Sequence, residues 1–400
     1  MKRLLAGAAL SLVLSTATAA EGIAPHYREL LERLVNINTE THNLAGLEQV
    51  RQLLIPQFES LGLVLTRHRL AQDGREVLSF EMPGAQPKVL LVGHLDTVFP
   101  VTGAFQKLKD QGNRLAGPGV IDMKGGVVLL LNVLAQLKEH GGLDQVRVAL
   151  NDDEEIGSPN SKATLRDLAQ GLPFGLVFEP GLEDGSVVSS QSGVRWIKLT
   201  TTGKAAHAGL EPEKGIDACL DLAIKVKKVA GLAQAGKGLT INPGLMDGGS
   251  KPNVVCENAS VTFDIRFRSL ADWQDVSSAI RKIGAVSDVY NASLQQGTHT
   301  EVTQLAEMPL LPVADTAELL ERIQTSARSL GQTVGARAVG YGSDGNNLAE
   351  TGMQLLVGVG PYGGGMHSDQ EFMLLRSYQE RLSLITLLIT QLSHSQKGTS

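Results

Sequence analysis

Cysteine is scarce in this 400-residue chain: there are two, Cys219 and Cys256. Two cysteines build no disulfide framework. A buried free thiol is the ordinary fate of such residues, and an exported chain could also join them, so their pairing stays open. Long apolar runs are missing too. Leu4–Leu14 is too short to span a bilayer and nothing later is longer, so no membrane partner is expected. Basic clusters are absent: 36 Lys and Arg face 42 Asp and Glu, for a net charge of −6, which argues against nucleic acid as a partner. There is no internal repeat and no low-complexity tract. The 44 glycines are scattered among apolar runs, which implies tight turns rather than disorder.

The first 20 residues have the three parts of a secretory signal. Lys2 and Arg3 give a positive start, Leu4–Leu14 an apolar run, and Ala17-Thr18-Ala19 a small-residue cleavage site. The expectation is a soluble protein that is periplasmic or secreted. The rest is long enough for two domains.

The pattern along the chain then alternates. Tyr27–Val35, Leu44–Leu61 and Lys124–His140 have helical spacing, while Val89–Val92, Val146–Leu150 and Leu176–Phe178 are short apolar strands. This is the α/β pattern of a sheet covered by helices on both faces. Near Ser192 the character changes. Val194–Thr202 and Val261–Arg268 alternate polar and apolar, and Ile216–Ala230 and Asp272–Ile283 are helical. Strand, helix, strands, helix, strand predicts a small α+β, ferredoxin-like unit. Around Glu301–Pro312 the first pattern resumes, with helix Thr316–Leu330, strand Gln354–Val359 and a final helix Phe372–Leu392. The expected division is 21–191 with 304–400 for one domain and 192–303 for a unit inserted into it.

Acids and histidines gather at the ends of these strands, where ligands bind in an open α/β sheet. They are His94-Leu95-Asp96, Asp122, Asp152–Glu155, Glu179 and His367-Ser368-Asp369. Imidazole and carboxylate donors without thiolate suit zinc or a similar divalent ion in a hydrolytic site. Residues two apart on a strand end point the same way, so Asp96 could fix the tautomer of a metal-bound His94. Asp122 precedes a helix, where an aspartate is ordinarily the N-cap. The glycines around it also let the backbone approach closely, as a carboxylate shared by two ions requires. Four acids in a row are ordinarily a solvated loop. Here they follow a buried strand, where one carboxylate can bind metal while its neighbour serves as general base. From spacing alone His207 is an ordinary loop histidine. Arg266, on a strand's polar face, is either solvated or forked onto a substrate carboxylate. His26, His42, His68, His140, His299 and His394 have no acidic partners at useful spacing and are expected at the surface.

In series, these motifs resemble the two-metal peptidases of the aminoacylase/carboxypeptidase (M20) superfamily. Gly93–Val98, Gly117–Gly126, Asp153–Ser158, Glu179-Pro180, Gly203–Gly209 and His367–Asp369 carry the resemblance, which spans essentially the whole mature chain. Within it, the chain is most similar to exported bacterial glutamate carboxypeptidases that hydrolyse folates. The resemblance implies an αβα-sandwich catalytic domain of the zinc-peptidase type with an inserted lid and dimerisation domain. It implies two Zn2+ per chain, other divalent ions being possible. Asp122 would bridge the ions, His94 and Glu179 would complete one and Glu155 and His367 the other. Glu154 would be the base for a hydroxide between the ions, and Asp96 the partner of His94. His207 would reach the oxyanion from the second subunit of a homodimer. Asn253 and Arg266 would hold the substrate's terminal carboxylate, and Gly342 and Ser343 would line the pocket. A cis peptide is implied between Asp122 and Met123. Ser343 replaces the threonine of glutamate carboxypeptidases, which touches the substrate more than the chemistry. The implied activity is release of a C-terminal amino acid, glutamate first among them, from a small peptide or N-acyl amino acid. An N-acyl-amino-acid deacylase or dipeptidase of the same fold is the alternative. A periplasmic binding protein would need the ligands but no base.

Overall fold

The computed structural model describes residues 22–70 and 74–394. The signal segment expected over residues 1–20 lies outside the described residues. The larger domain is built on an eight-stranded sheet. Its strands run, in spatial order, Val64–Arg69, Glu76–Glu81, Val146–Asn151, Val89–His94, Phe174–Val177, Gln354–Val357, Val187–Gln191 and Ala336–Val339. The middle of the sheet is parallel: Val89–His94 lies between Val146–Asn151 and Phe174–Val177, in register from Val89. These strands are mostly apolar because both faces are covered, Arg147 reaching out to Glu81. On one face Leu91, Val148 and Leu176 pack against helices Pro25–Val35, Leu44–Ser60, Lys124–His140, Ala317–Ser329 and Leu375–His394. On the other, Val92, Ala149 and Val177 meet Leu165 and Leu348 from helices Lys162–Ala169 and Asp344–Leu348. The result is the αβα sandwich expected from the alternation.

Helix Lys124–His140 follows the pattern closely. Val127–Leu131 are all buried. A Cβ on Gly126 would come within 2.2 Å of the Phe178 carbonyl oxygen, so only glycine lets the helix start press against the strand end that carries Glu179. The last helix differs from expectation. Residues Phe372–Leu374 form a strand that pairs with Arg114–Ala116, and the helix begins at Leu375.

The smaller domain is a four-stranded antiparallel sheet ordered Thr240–Gly248, Asn258–Phe267, Gly193–Thr202 and His299–Met308, with helices Ala218–Ala230 and Leu270–Ala285 on one face. Val261, Phe263, Ile265 and Phe267 point into that core, as their alternation predicts. Strand His299–Met308 runs across position 304, where the first pattern was expected to resume, and its pairing with Gly193–Thr202 continues to Met308. Among the described residues no helix is long and apolar enough to cross a membrane.

Cys219 and Cys256 are joined, which settles the open pairing against two free thiols. The bond ties the first turn of helix Ala218–Ala230 to the segment that carries Asn253, and it closes a separation of 37 residues. A loop of that size constrains the unfolded chain substantially. Cys256→Ser should therefore lower stability to urea unfolding by about 2–4 kcal/mol. Equal unfolding curves for the two proteins would show that the bond carries none of it.

Candidate metal centre

Three adjacent parallel strands deliver the site. His94 ends Val89–His94, the turn Asp153–Ile156 follows Val146–Asn151, and Glu179 follows Phe174–Val177. Asp122 comes from the start of helix Lys124–His140, and the Asp122–Met123 peptide is cis, as the resemblance implied. His367 arrives from Gly363–Asp369 with a φ of 62°, a left-handed conformation uncommon for a residue with a Cβ.

These side chains converge on the two oxygens of Asp122. His94 Nε2 lies 3.2 Å from Asp122 Oδ1 and 3.7 Å from Glu179 Oε1. His367 Nε2 lies 3.1 Å from Asp122 Oδ2 and 3.2 Å from Glu155 Oε2. Two groups of donor atoms close enough to share a cation result: His94, Glu154 and Glu179, and His94, Asp122 and Glu155. The acids here crowd one another. Burial, with the charge of Asp122 next, pushes Glu155 up to about 7. Glu154 and Glu179 are raised well above the usual carboxylate range, first by burial and then by Glu179 and Asp122 respectively. Hydrogen bonds to Asp122 and Glu155 lift His367 to about 10. Glu155 Oε1 is buried without any hydrogen-bond partner. An orphaned carboxylate oxygen beside three further acids and two imidazoles is the donor set of a divalent cation site. The third group of candidate donors, Asp217, Cys219 and Cys256, is spent, since its sulfurs are bonded to each other.

Supporting residues hold this cluster in place. The Asp96 carboxylate accepts the backbone N–H of Glu154 at 3.2 Å and of Glu155 at 3.1 Å, and the Thr41 hydroxyl at 2.8 Å. The closest partner of His94 Nδ1 is the Asp96 main-chain oxygen at 3.0 Å, with the carboxylate at 3.4 Å. Asp96 therefore orients both the histidine and the two glutamates. The four-acid run divides: Asp152 pairs with Arg51 and Arg75, and Asp153 accepts from Ser161 and Asn160. Both are buried, so half of the run is structural rather than solvated. Glu371 had no signal as a site residue. Its buried carboxylate accepts the backbone N–H of Gly119, Ile121 and Asp122, and burial pushes it up to about 8. It clamps the turn that presents Asp122. Asp344 is a further buried acid at this wall, held by Ser158 and Asn151.

The expected substrate residues fare unequally. His207 and Asn253 are brought together on the exposed rim of the smaller domain, where the Ala208 amide donates to the Asn253 carbonyl. His207 Nδ1 accepts the amides of Gly209 and Leu210, each at 3.2 Å, which assigns the proton to Nε2. Arg266 is already paired with Asp264 and with the Gly340 carbonyl. Ser343 does not offer its hydroxyl to a pocket. It is buried, caps helix Asp344–Leu348, and donates to Gln191. Gly342 is half-buried, and a Cβ there would strike the Met308 sulfur at 2.1 Å. A cleft of about 470 Å3, lined by Phe99 and Phe105, opens beside His367.

The chain belongs to peptidase family M20/M25/M40, whose model matches residues 90–391. It is 27% identical over 384 residues to carboxypeptidase G2 of Pseudomonas sp. (strain RS-16), covering 94% of this chain and 91% of that one. It is 28% identical over 324 residues to N-acetyl-L-citrulline deacetylase of Xanthomonas campestris pv. campestris, covering 76% and 81%. The fold matches that of a tripeptidase from Staphylococcus aureus with a TM-score of 0.77 at 23% identity, covering 92% and 98%. With two candidate metal clusters, the chain is a metal-dependent hydrolase of the M20 superfamily.

The crowding has a measurable consequence. With Glu155 raised to about 7 and His367 to about 10, His367 is protonated and Glu155 about half protonated at pH 7 in the metal-free protein. Metal takes only the deprotonated donors. Zinc binding at pH 7 should release at least one proton, and affinity should climb as pH rises from about 6 to 8. Calorimetry in buffers of different ionisation enthalpy counts the protons. A proton count of zero contradicts the crowded arrangement.

Proposed function

We propose that this chain is an exported, homodimeric two-zinc hydrolase that releases a C-terminal amino acid, glutamate first among them, from N-acyl or peptidyl substrates. One observation carries the reading: the two oxygens of Asp122 face different histidines, with Glu154 beside them. His94 and Glu179 would hold one ion and Glu155 and His367 the other. Bound there, the ions supply a Lewis acid for the scissile carbonyl and acidify a water. Glu154 takes the proton of the attacking water and passes it to the leaving amine. Burial raises its carboxyl well above the usual carboxylate range, which suits a group that must both accept and return a proton. The Nε2–H of His207, left outward by its two backbone contacts, suits an oxyanion donor. His207 is exposed within one chain, which leaves it free to meet a second subunit, and by the family resemblance the partner subunit's His207 takes this role.

The carboxypeptidase named among the relatives supports release of a C-terminal amino acid, and Arg266 supports an α-carboxylate on it. The deacetylase relative supports the second reading, an N-acyl-amino-acid deacylase with the same chemistry and another acyl group. A turnover screen of N-acyl and peptidyl amino acids, varying the C-terminal residue, separates them. A non-catalytic binding protein would turn over none of them.

Base and ligand should separate. Glu154→Gln should keep two metals per chain while losing rate by roughly a hundredfold or more. Glu155→Gln should lose one metal. Metal analysis beside the rate checks both, and equal metal loss in the two variants sinks the assignment.

Action across the dimer has its own test. His207→Ala and Glu154→Gln should each be nearly inactive. In a mixed dimer one site carries both defects and the other neither, so activity should return to about half of wild type per mixed dimer under two-fold symmetry. Mixed dimers that form from folded, metal-loaded subunits and stay inactive exclude His207 from a role in trans.

A further inference from the structure

Arg266 lies two residues after Asp264 on strand Asn258–Phe267, so both side chains rise from the face opposite the packed core. Its Nε donates to Asp264 Oδ1 at 2.8 Å and its Nη2 to Asp264 Oδ2 at 3.3 Å, a fork along one edge of the guanidinium. Its Nη1 donates to the Gly340 carbonyl at 2.8 Å, across the gap between the two domains. Asp264 is itself held. Trp196, its partner on the neighbouring strand, donates its indole N–H to Oδ2 at 3.0 Å.

The donors can be accounted for. A guanidinium has five N–H groups, and three are used here. One N–H on Nη1 and one on Nη2 have no partner among the described residues. Those two nitrogens form the terminal edge of the group, and with the Gly340 carbonyl on the outer N–H of Nη1 that edge can take a carboxylate end-on. The Asp264–Arg266 pair is part exposed, at 26% and 38%, so stability alone gives it little weight. What the contacts do is remove rotamer freedom. They fix a long side chain in one plane, between the lid and the loop that leads through Tyr341 to Asp344.

We propose that Asp264 is the positioning residue for the substrate's carboxylate: it takes the Nε–Nη2 edge of Arg266 and so turns the terminal edge toward the substrate. This rests on the reading of Arg266 as the carboxylate's receptor. Asp264 does not touch the substrate. Trp196 orients Asp264, Asp264 and Gly340 orient Arg266, and Arg266 binds. The opposite role for the same contacts is also testable. If Asp264 were a mimic that the substrate must displace, removing it would tighten binding.

The experiment measures binding to the zinc-loaded, full-length protein by calorimetry, with L-glutamate as the probe and its α-carboxamide, isoglutamine, as the control. Asp264→Ala should weaken L-glutamate binding by about tenfold, the scale of one charge-assisted hydrogen bond, and leave isoglutamine unchanged. Asp264→Asn, which keeps one acceptor oxygen, should fall between. Arg266→Ala should lose the preference for glutamate over isoglutamine altogether. An Asp264→Ala protein that binds glutamate as well as or better than wild type, while Arg266→Ala binds it worse, overturns the positioning role and leaves the carboxylate reading standing. If Arg266→Ala changes nothing, both fall together. Equal weakening of glutamate and isoglutamine in Asp264→Ala marks a general loss of structure and also overturns the proposal.

Discussion

Four carboxylates, those of Asp122, Glu154, Glu155 and Glu179, are packed into one wall of this protein with only two imidazoles among them. Carboxylates so placed repel one another, and each was taken out of water to get there. Much of the architecture reads as the means of holding them together regardless. Three parallel strands end in register and aim their next residues at one point. Asp96 ties Glu154 and Glu155 through their backbone N–H groups, and Glu371 does the same for the turn at Asp122. The glycine helix start lets Asp122 approach Glu179. A divalent cation is the counter-charge that such a cluster calls for.

Much of this was legible in the amino-acid sequence, for a physical reason. Buried parallel strands leave short apolar runs, and functional residues must follow those runs because the carboxyl ends of the strands are where the sheet opens. His94, Glu154, Glu155 and Glu179 all stand in that position. The edges of both sheets were not legible. Val64–Arg69 carries Thr66, Arg67, His68 and Arg69, and Thr240–Gly248 is broken by Pro243 and Gly244 with a bulge between Pro243 and Leu245. Edge strands face water on one side and can dispense with an apolar pattern. Glu371 gives no signal in the sequence because helical spacing over Phe372–Leu392 masks the strand Phe372–Leu374 beside it. Asp264 was hidden because a polar residue on a strand's open face looks solvated. The role of Ser343 could not be read from its loop, since a helix cap and a pocket wall use the same residue types.

The two domains divide the labour. The larger one holds the acids and histidines, and its fold explains their convergence. The smaller one carries His207, Asn253 and Arg266, which the proposed function assigns to the substrate. Its disulfide fixes helix Ala218–Ala230 to the segment that carries Asn253, beside the segment that carries His207. Family membership fixes the chemistry more firmly than the substrate, because relatives that include a carboxypeptidase and a deacetylase share this framework.

The central claim is that Asp122 is shared by two metal ions. Anomalous scattering from a crystal grown with zinc tests it most directly. The account predicts two peaks about 3.5–4 Å apart, one on each oxygen of Asp122, the first against His94 and Glu179 and the second against Glu155 and His367. A single peak, or two peaks of which only one touches Asp122, would contradict it.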